Sequence, residues 1–146
     1  RSTEKMADGL DVALCAIDLS KKQVYFSGAN RPLWIVRKKG SGFELIVFNG
    51  TKASIGLNTP TDQQFTNTTF AVECGDRLFM FTDGITDQFG GVKGKKMGRK
   101  KLKEILINSA SFEIEHQKKY VCAFIKDWQG SNEQVDDMLM VGIEIN

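Results

Sequence analysis

An α+β fold is predicted by three features of the sequence. The first half carries short apolar runs cut by turn chemistry, the second half carries two stretches of helical apolar spacing, and the chain closes on an apolar, β-branched run. A length of 146 residues with 41% hydrophobic and 26% charged residues suits one domain with a buried core and excludes disordered, collagenous and disulfide-scaffold readings. Val12–Leu19 and Gln23–Ser27 read as strands around the polar Ser20-Lys21-Lys22. Leu33–Arg37 and Phe43–Phe48 read as strands around Gly40-Ser41-Gly42. A meander of antiparallel hairpins is expected from these four. Residues 49–68, with Gly50, Gly56 and Pro60 among Thr and Asn, read as a loop before a strand at Thr69–Glu73.

Arg77–Thr82 is almost continuously apolar, as a strand buried on both faces would be, and it stops at Asp83-Gly84. Leu102, Ile105 and Leu106 then set helical spacing, and Val121, Phe124, Ile125 and Trp128 repeat it. Glu113 and Glu115 sit early in the second helix, with Glu115 four residues before Lys119. Met138–Ile145 is the last strand. Strands, then a helix pair, then a strand imply helices packed on sheet, not βαβ alternation.

Twenty Lys and Arg against 18 Asp and Glu leave a net charge of +2, so nothing draws the whole chain to nucleic acid or to an anionic membrane. No apolar run approaches the roughly 20 residues that span a bilayer. Cys15, Cys74 and Cys122 are distant and odd in number, which argues against disulfides and cysteine zinc sites and fits a reducing, cytoplasmic setting. The opening Arg-Ser-Thr-Glu-Lys-Met6 has no signal-peptide core and reads as a cut inside a longer protein.

The chemistry concentrates in two acidic segments, Thr82-Asp83-Gly84-Ile85-Thr86-Asp87 at the end of one buried strand and Gln134-Val135-Asp136-Asp137-Met138 at the start of another. A carboxylate at a buried strand end is costly unless a charge, hydrogen bonds or a metal compensates it. Asp83 and Asp136 are therefore candidate ligands for a hard cation, Mg²⁺ or Mn²⁺, with Gly84 allowing a sharp turn beside them. On spacing alone, a plain turn at Asp83-Gly84 and a solvated loop at Asp136-Asp137 remain open.

Four blocks, Asp8-Gly-Leu-Asp-Val-Ala-Leu-Cys-Ala-Ile-Asp-Leu19, Ser27-Gly-Ala-Asn-Arg-Pro-Leu33, the run from Gly75 to Gly91 and Gln134-Val-Asp-Asp137, come in the order of the stage II sporulation protein E family. The chain resembles that family of bacterial metal-dependent, type 2C class Ser/Thr protein phosphatases over nearly its whole length. The resemblance implies an α-β-β-α sandwich of two mainly antiparallel sheets with flanking helices. It further implies a two-metal centre that activates water against phosphoserine or phosphothreonine on a protein such as an anti-sigma-factor antagonist. Asp83 and Asp136 match the family's metal ligands, and Gly84, Asp87 and Asp137 stand beside them in supporting places. Residues 1–146 then form the C-terminal, larger part of a single phosphatase domain. The family's Gly-Asp and Asp-Gly-His-Gly-like blocks have no counterpart in the sequence, Leu139 replaces a common Thr, and Asn30 replaces a common His. Weak metal binding, little activity of these residues alone, and self-association through Val12–Leu19 or the faces of the two helices are expected from that shortfall.

Lys93–Lys103 holds seven basic residues in eleven without interleaved aromatics or a nucleic-acid module, so a solvated face is the plain reading and no nucleic-acid partner is expected. In its functional reading it is a substrate-facing flap, with Lys95 and Lys96 near the phosphopeptide. His116 is the only histidine and lacks the partners of a nucleophilic triad. The rival to an enzyme is a non-catalytic, partner-binding signalling module with the same fold.

Overall fold

The computed structural model describes residues 9–56 and 59–146. Asp8 and the rest of the opening segment lie outside the described residues, as do positions 57 and 58 of the anticipated loop. Eleven strands and three helices are described: β1 (Gly9–Leu10), β2 (Val12–Asp18), β3 (Gln23–Ala29), β4 (Leu33–Lys39), β5 (Gly42–Phe48), β6 (Ile55–Gly56), β7 (Asn67–Ala71), β8 (Arg77–Phe81), α1 (Asp83–Asp87), β9 (Phe89–Gly90), β10 (Lys95–Lys96), α2 (Gly98–Asn108), α3 (Ile114–Gln129) and β11 (Met140–Glu144). The class is α+β with antiparallel sheets, as the residue pattern predicts.

The chain divides into two compact units, one of residues up to Leu33 with Val47–Glu73 and the other of Trp34–Ile46 with Cys74–Asn146. In the first, β2, β3 and β7 form an antiparallel sheet in that order, and β1 pairs with β6. Val24, Phe26 and Val72 are buried, and Phe48 stacks on Phe70 at 4.1 Å between ring centroids. Three segments meet where Asn30, at φ 57°, donates from Nδ2 to Asp11 Oδ1 (2.9 Å) and Ser54 Oγ (3.0 Å), while Ser54 Oγ donates to Asp11 (2.6 Å). Asn tolerates this left-handed backbone better than most residues and here uses its amide to tie the loops. Asn30 is thus a structural tie.

Burial pushes the Asp11 carboxyl up, but the hydrogen bonds from Ser54 and Asn30 and the charge of Arg31 outweigh it and hold the group below its usual 3.8. A carboxyl lowered on folding stabilises the native state above its unfolded value, and that contribution disappears as pH falls through the lowered one. Asn30→Ala is expected to cost about 1–3 kcal/mol through backbone strain and lost hydrogen bonds. Its urea-unfolding midpoint should approach that of the wild type as acid protonates Asp11; a variant as stable as wild type at neutral pH contradicts the tie.

In the second unit the sheet order is β11-β8-β4-β5. Trp34, Ile35 and Val36 of β4 and Leu78 of β8 are essentially inaccessible, which explains their unbroken apolar runs. The single expected meander is corrected here: β4 pairs antiparallel with β8, not with β3. Pairing across some forty residues leaves no trace in local patterning. Arg77, buried in β8, donates to Glu144 on β11 (2.6 Å), to the Ala110 carbonyl (3.1 Å) and to Gln117 Oε1 on α3 (2.9 Å). This satisfied network fastens the α2–α3 corner to the sheet. Leu102, Ile105, Leu106 and Val121 are buried as their spacing predicts, whereas Phe124, Ile125 and Trp128 are half-buried. The three cysteines are free thiols. Among the described residues no helix is long and apolar enough to cross a membrane.

Candidate functional site

The buried strand β8 ends at Phe81, and the chain passes through Thr82 directly into α1, whose first residue is Asp83. Asp83-Gly84 opens a five-residue helix and is not the plain turn that spacing alone left open. Thr82 works three ways. Its backbone N–H donates to the Leu139 carbonyl (3.0 Å), its hydroxyl donates to the Asp137 carbonyl (2.7 Å), and the same hydroxyl accepts from the Leu139 N–H (3.0 Å). The last strand therefore begins at Met140 instead of Met138, because a side chain has taken the place of the ladder there.

Gly84 lies directly under the second acidic segment. A Cβ at this position would fall on the Asp137 carbonyl, 2.9 Å from its carbon and 3.1 Å from the Asp136 oxygen. The glycine is required by close backbone approach, since its φ is not in the left-handed region. On the other side Gln88, fully buried, donates from Nε2 to the carbonyls of Glu133 (2.9 Å) and Phe89 (3.0 Å) and accepts from the Val135 N–H (3.4 Å). The segment 133–139 is thus held at both ends by residues flanking α1, and Asp83, Gly84, Asp136 and Asp137 share one place. Gln88 and the triple use of Thr82 are functional features that sequence reading missed. A lone glutamine after an acidic turn carries no signal of its own.

Asp83 is half-buried, and its carbonyl accepts from Thr86 Oγ1 (3.1 Å). Asp136 and Asp137 are exposed. Asp136 Oδ1 accepts from the Asp137 N–H (2.7 Å) and its carbonyl accepts from Gln134 Nε2 (2.9 Å), which fixes the carboxylate's orientation. Asp87 instead forms an ion pair with Lys96 at 3.2 Å. Lys95 is exposed on β10, opposite Gly90. His116 lies on α3, stacked on Phe112 at 4.8 Å.

Among the described residues no group of three or more His, Cys, Asp or Glu gathers in a metal-binding arrangement. The donors present are carboxylate oxygens on a fastened backbone, which suit Mg²⁺ or Mn²⁺ in kind, while their number falls short of a complete coordination sphere.

The model of the stage II sporulation protein E family matches residues 3–146. The chain belongs to this family. Its fold is that of solved type 2C phosphatase domains. The SiaA-PP2C domain of Pseudomonas aeruginosa superposes with a TM-score of 0.82 at 25% identity, over 93% of this chain and 52% of that one. The Mn-presoaked phosphatase domain of the cell fate determinant SpoIIE from Bacillus subtilis gives 0.63 at 19% identity, over 100% and 60%. A Bacillus subtilis SpoIIE structure with the PP2C phosphatase domain and a fragment of the regulatory domain gives 0.69 at 19% identity, over 92% and 37%. The SpoIIE-like chain therefore spans between about a third and three fifths of the length of these solved chains. No curated protein matches the sequence significantly.

Proposed function

We propose that this SpoIIE-family chain is the C-terminal, larger part of a metal-dependent protein Ser/Thr phosphatase domain acting on a signalling phosphoprotein, with an anti-sigma-factor antagonist as the candidate substrate. The observation that carries the reading is the fastening of Asp136-Asp137 onto Gly84 by Thr82 and Gln88, which places two strand-end acidic segments at one spot. Asp83 and Asp136 are the residues that would hold Mn²⁺ or Mg²⁺. When bound, such cations act as Lewis acids toward phosphoryl oxygen and water. The chain's own part is to keep carboxylate charge at a fixed position: Asp137 locks the Asp136 carboxylate through its N–H, Gly84 sets the spacing between the two segments, and Thr82 prevents them from separating. Lys95, exposed on β10, is the cation that would meet substrate, whereas Lys96 is ion-paired with Asp87 of α1.

The test is phosphate release from a phosphoserine protein by the complete domain, with the Gly-Asp and Asp-Gly-His-Gly-like blocks present, in Mn²⁺. Release is expected. Absence of release with retained protein binding would favour the non-catalytic module.

For the 146 residues alone, weak Mn²⁺ binding follows from the small number of carboxylates, because affinity for hard cations tracks ligand charge and count. Calorimetry is expected to find affinity weaker than micromolar; two micromolar sites would overturn this assignment of the ligand set.

A further inference from the structure

The basic run does not divide evenly between paired and unpaired cations. Lys96 is held by Asp87, Lys101 by Glu104 at 3.1 Å, and Lys103 lies over the Trp34 ring, 5.5 Å from its centroid. Lys93, Lys95, Arg99 and Lys100 are exposed and have no such partner among the described residues. Two of these cations, Arg99 and Lys100, occupy the first turn of α2, which contains no acidic residue and has no side-chain cap. Cations there oppose the helix dipole, so the arrangement weakens the helix unless an external anion compensates it.

These cations sit on a rigid support. The base of the β9–β10 hairpin is fastened by Gly91 N–H to the Trp128 carbonyl (2.8 Å), Met97 N–H to the Gln88 carbonyl (3.0 Å) and Trp128 Nε1 to the same Gln88 carbonyl (3.2 Å). A side chain on Gly90 would overlap the Trp128 carbonyl, so the hairpin is seated as closely as backbone allows. Its tip presents Val92, completely exposed, next to Lys93. The Lys96–Asp87 pair joins β10 to the last residue of α1, the helix that opens with Asp83.

We propose that the β9–β10 tip and the first turn of α2 form a docking finger for an acidic face of the phosphoprotein substrate, with Val92 as apolar anchor and Lys93, Lys95, Arg99 and Lys100 as its cations. The inference rests on the phosphatase reading and names the chemistry of the surface that reading requires. An exposed apolar tip with exposed cations next to it and further along the same stretch of chain suits protein recognition, where a desolvated anchor supplies affinity and the rim charges supply steering. Nucleic acid is the less favoured occupant. The exposed aromatic nearby, Phe89, lies under Lys96 with its centroid 5.9 Å from Nζ, and no stacking platform accompanies it.

The test uses labelled poly-L-glutamate and a glutamate–tyrosine copolymer, titrated into the chain at low and at physiological salt and read by anisotropy. The combined Lys93→Glu, Arg99→Glu, Lys100→Glu variant is expected to lose at least about tenfold in affinity for both polymers and most of the salt dependence. Lys118→Glu, Lys119→Glu, Lys126→Glu on α3 makes the same charge change and is expected to keep the salt dependence. Val92→Ser should abolish the copolymer's advantage over poly-L-glutamate. Equal losses in the two triple variants would overturn the finger. Duplex DNA binding more tightly than either polymer, and lost in the first triple variant, would overturn it in favour of nucleic acid. Phosphate release by the complete domain is read separately. Its absence with polymer binding intact strikes the phosphatase reading alone, and binding indifferent to the first triple variant strikes the finger alone.

Discussion

Asp83→Asn and Asp136→Asn, placed in the complete domain, are each expected to lower turnover on a phosphoserine protein at least about 100-fold. Loss of a residue that merely supports a metal ligand costs about 10–100-fold, and under the proposed assignment these two would supply the carboxylate charge itself. The substitution is chosen because it removes the charge and keeps the side chain's shape. The Asp83 contact to Thr86 runs through the backbone carbonyl, and in Asp136→Asn the new amide oxygen still accepts the Asp137 N–H. Side-chain shape and the Thr82 fastening are kept, while hard-cation affinity falls with the lost negative charge. Phosphate release measured across Mn²⁺ concentrations is the readout. Near-normal turnover in both variants would remove these two residues as ligands, even with the fold and the family unchanged.

How much of this was legible depends on the range of each interaction. β2 and β3 are bounded by Ser20-Lys21-Lys22 and α2 and α3 follow their apolar spacing, so local pattern sufficed for them. The buried run of β8 was equally plain. α1 is five residues long, less than two turns, and too short for any periodicity to register. The β9–β10 pairing joins Phe89 and Gly90 to two lysines, two residues on each side and too few for a strand pattern to register. At the site, the electrostatic cost of strand-end carboxylates pointed to Asp83 and Asp136 before any contact was known. What joins them was not legible, because Thr82 and Gln88 reach across 55 and 45 residues to backbone atoms, which have no identity in a sequence. The basic run likewise gave no sign that Lys96 pairs with Asp87 while Lys95 stays exposed.

Gly84→Ala separates position from charge at the same site. In an ordinary helix the change stabilises by roughly 0.5–1 kcal/mol, since alanine loses less backbone freedom on folding. Here the sign is expected to reverse, because the new methyl would enter the Asp137 carbonyl and the atoms in the way are backbone held by Thr82, not the end of a flexible side chain. Overpacking of this kind costs about 1–3 kcal/mol. Relief by lifting the 136–139 segment would break the Thr82 hydroxyl's bonds to Asp137 and Leu139 and carry Asp136 away from Asp83. Both carboxylates survive, so the loss of activity should be partly recovered by raising Mn²⁺, whereas Asp83→Asn should not recover in that way. Gly42→Ala is the control, with nothing within 4 Å of the added methyl and no left-handed backbone. Urea unfolding that placed Gly84→Ala beside Gly42→Ala would mean that the second acidic segment does not rest on this glycine, and the shared position of Asp83 and Asp136 would lose its structural basis.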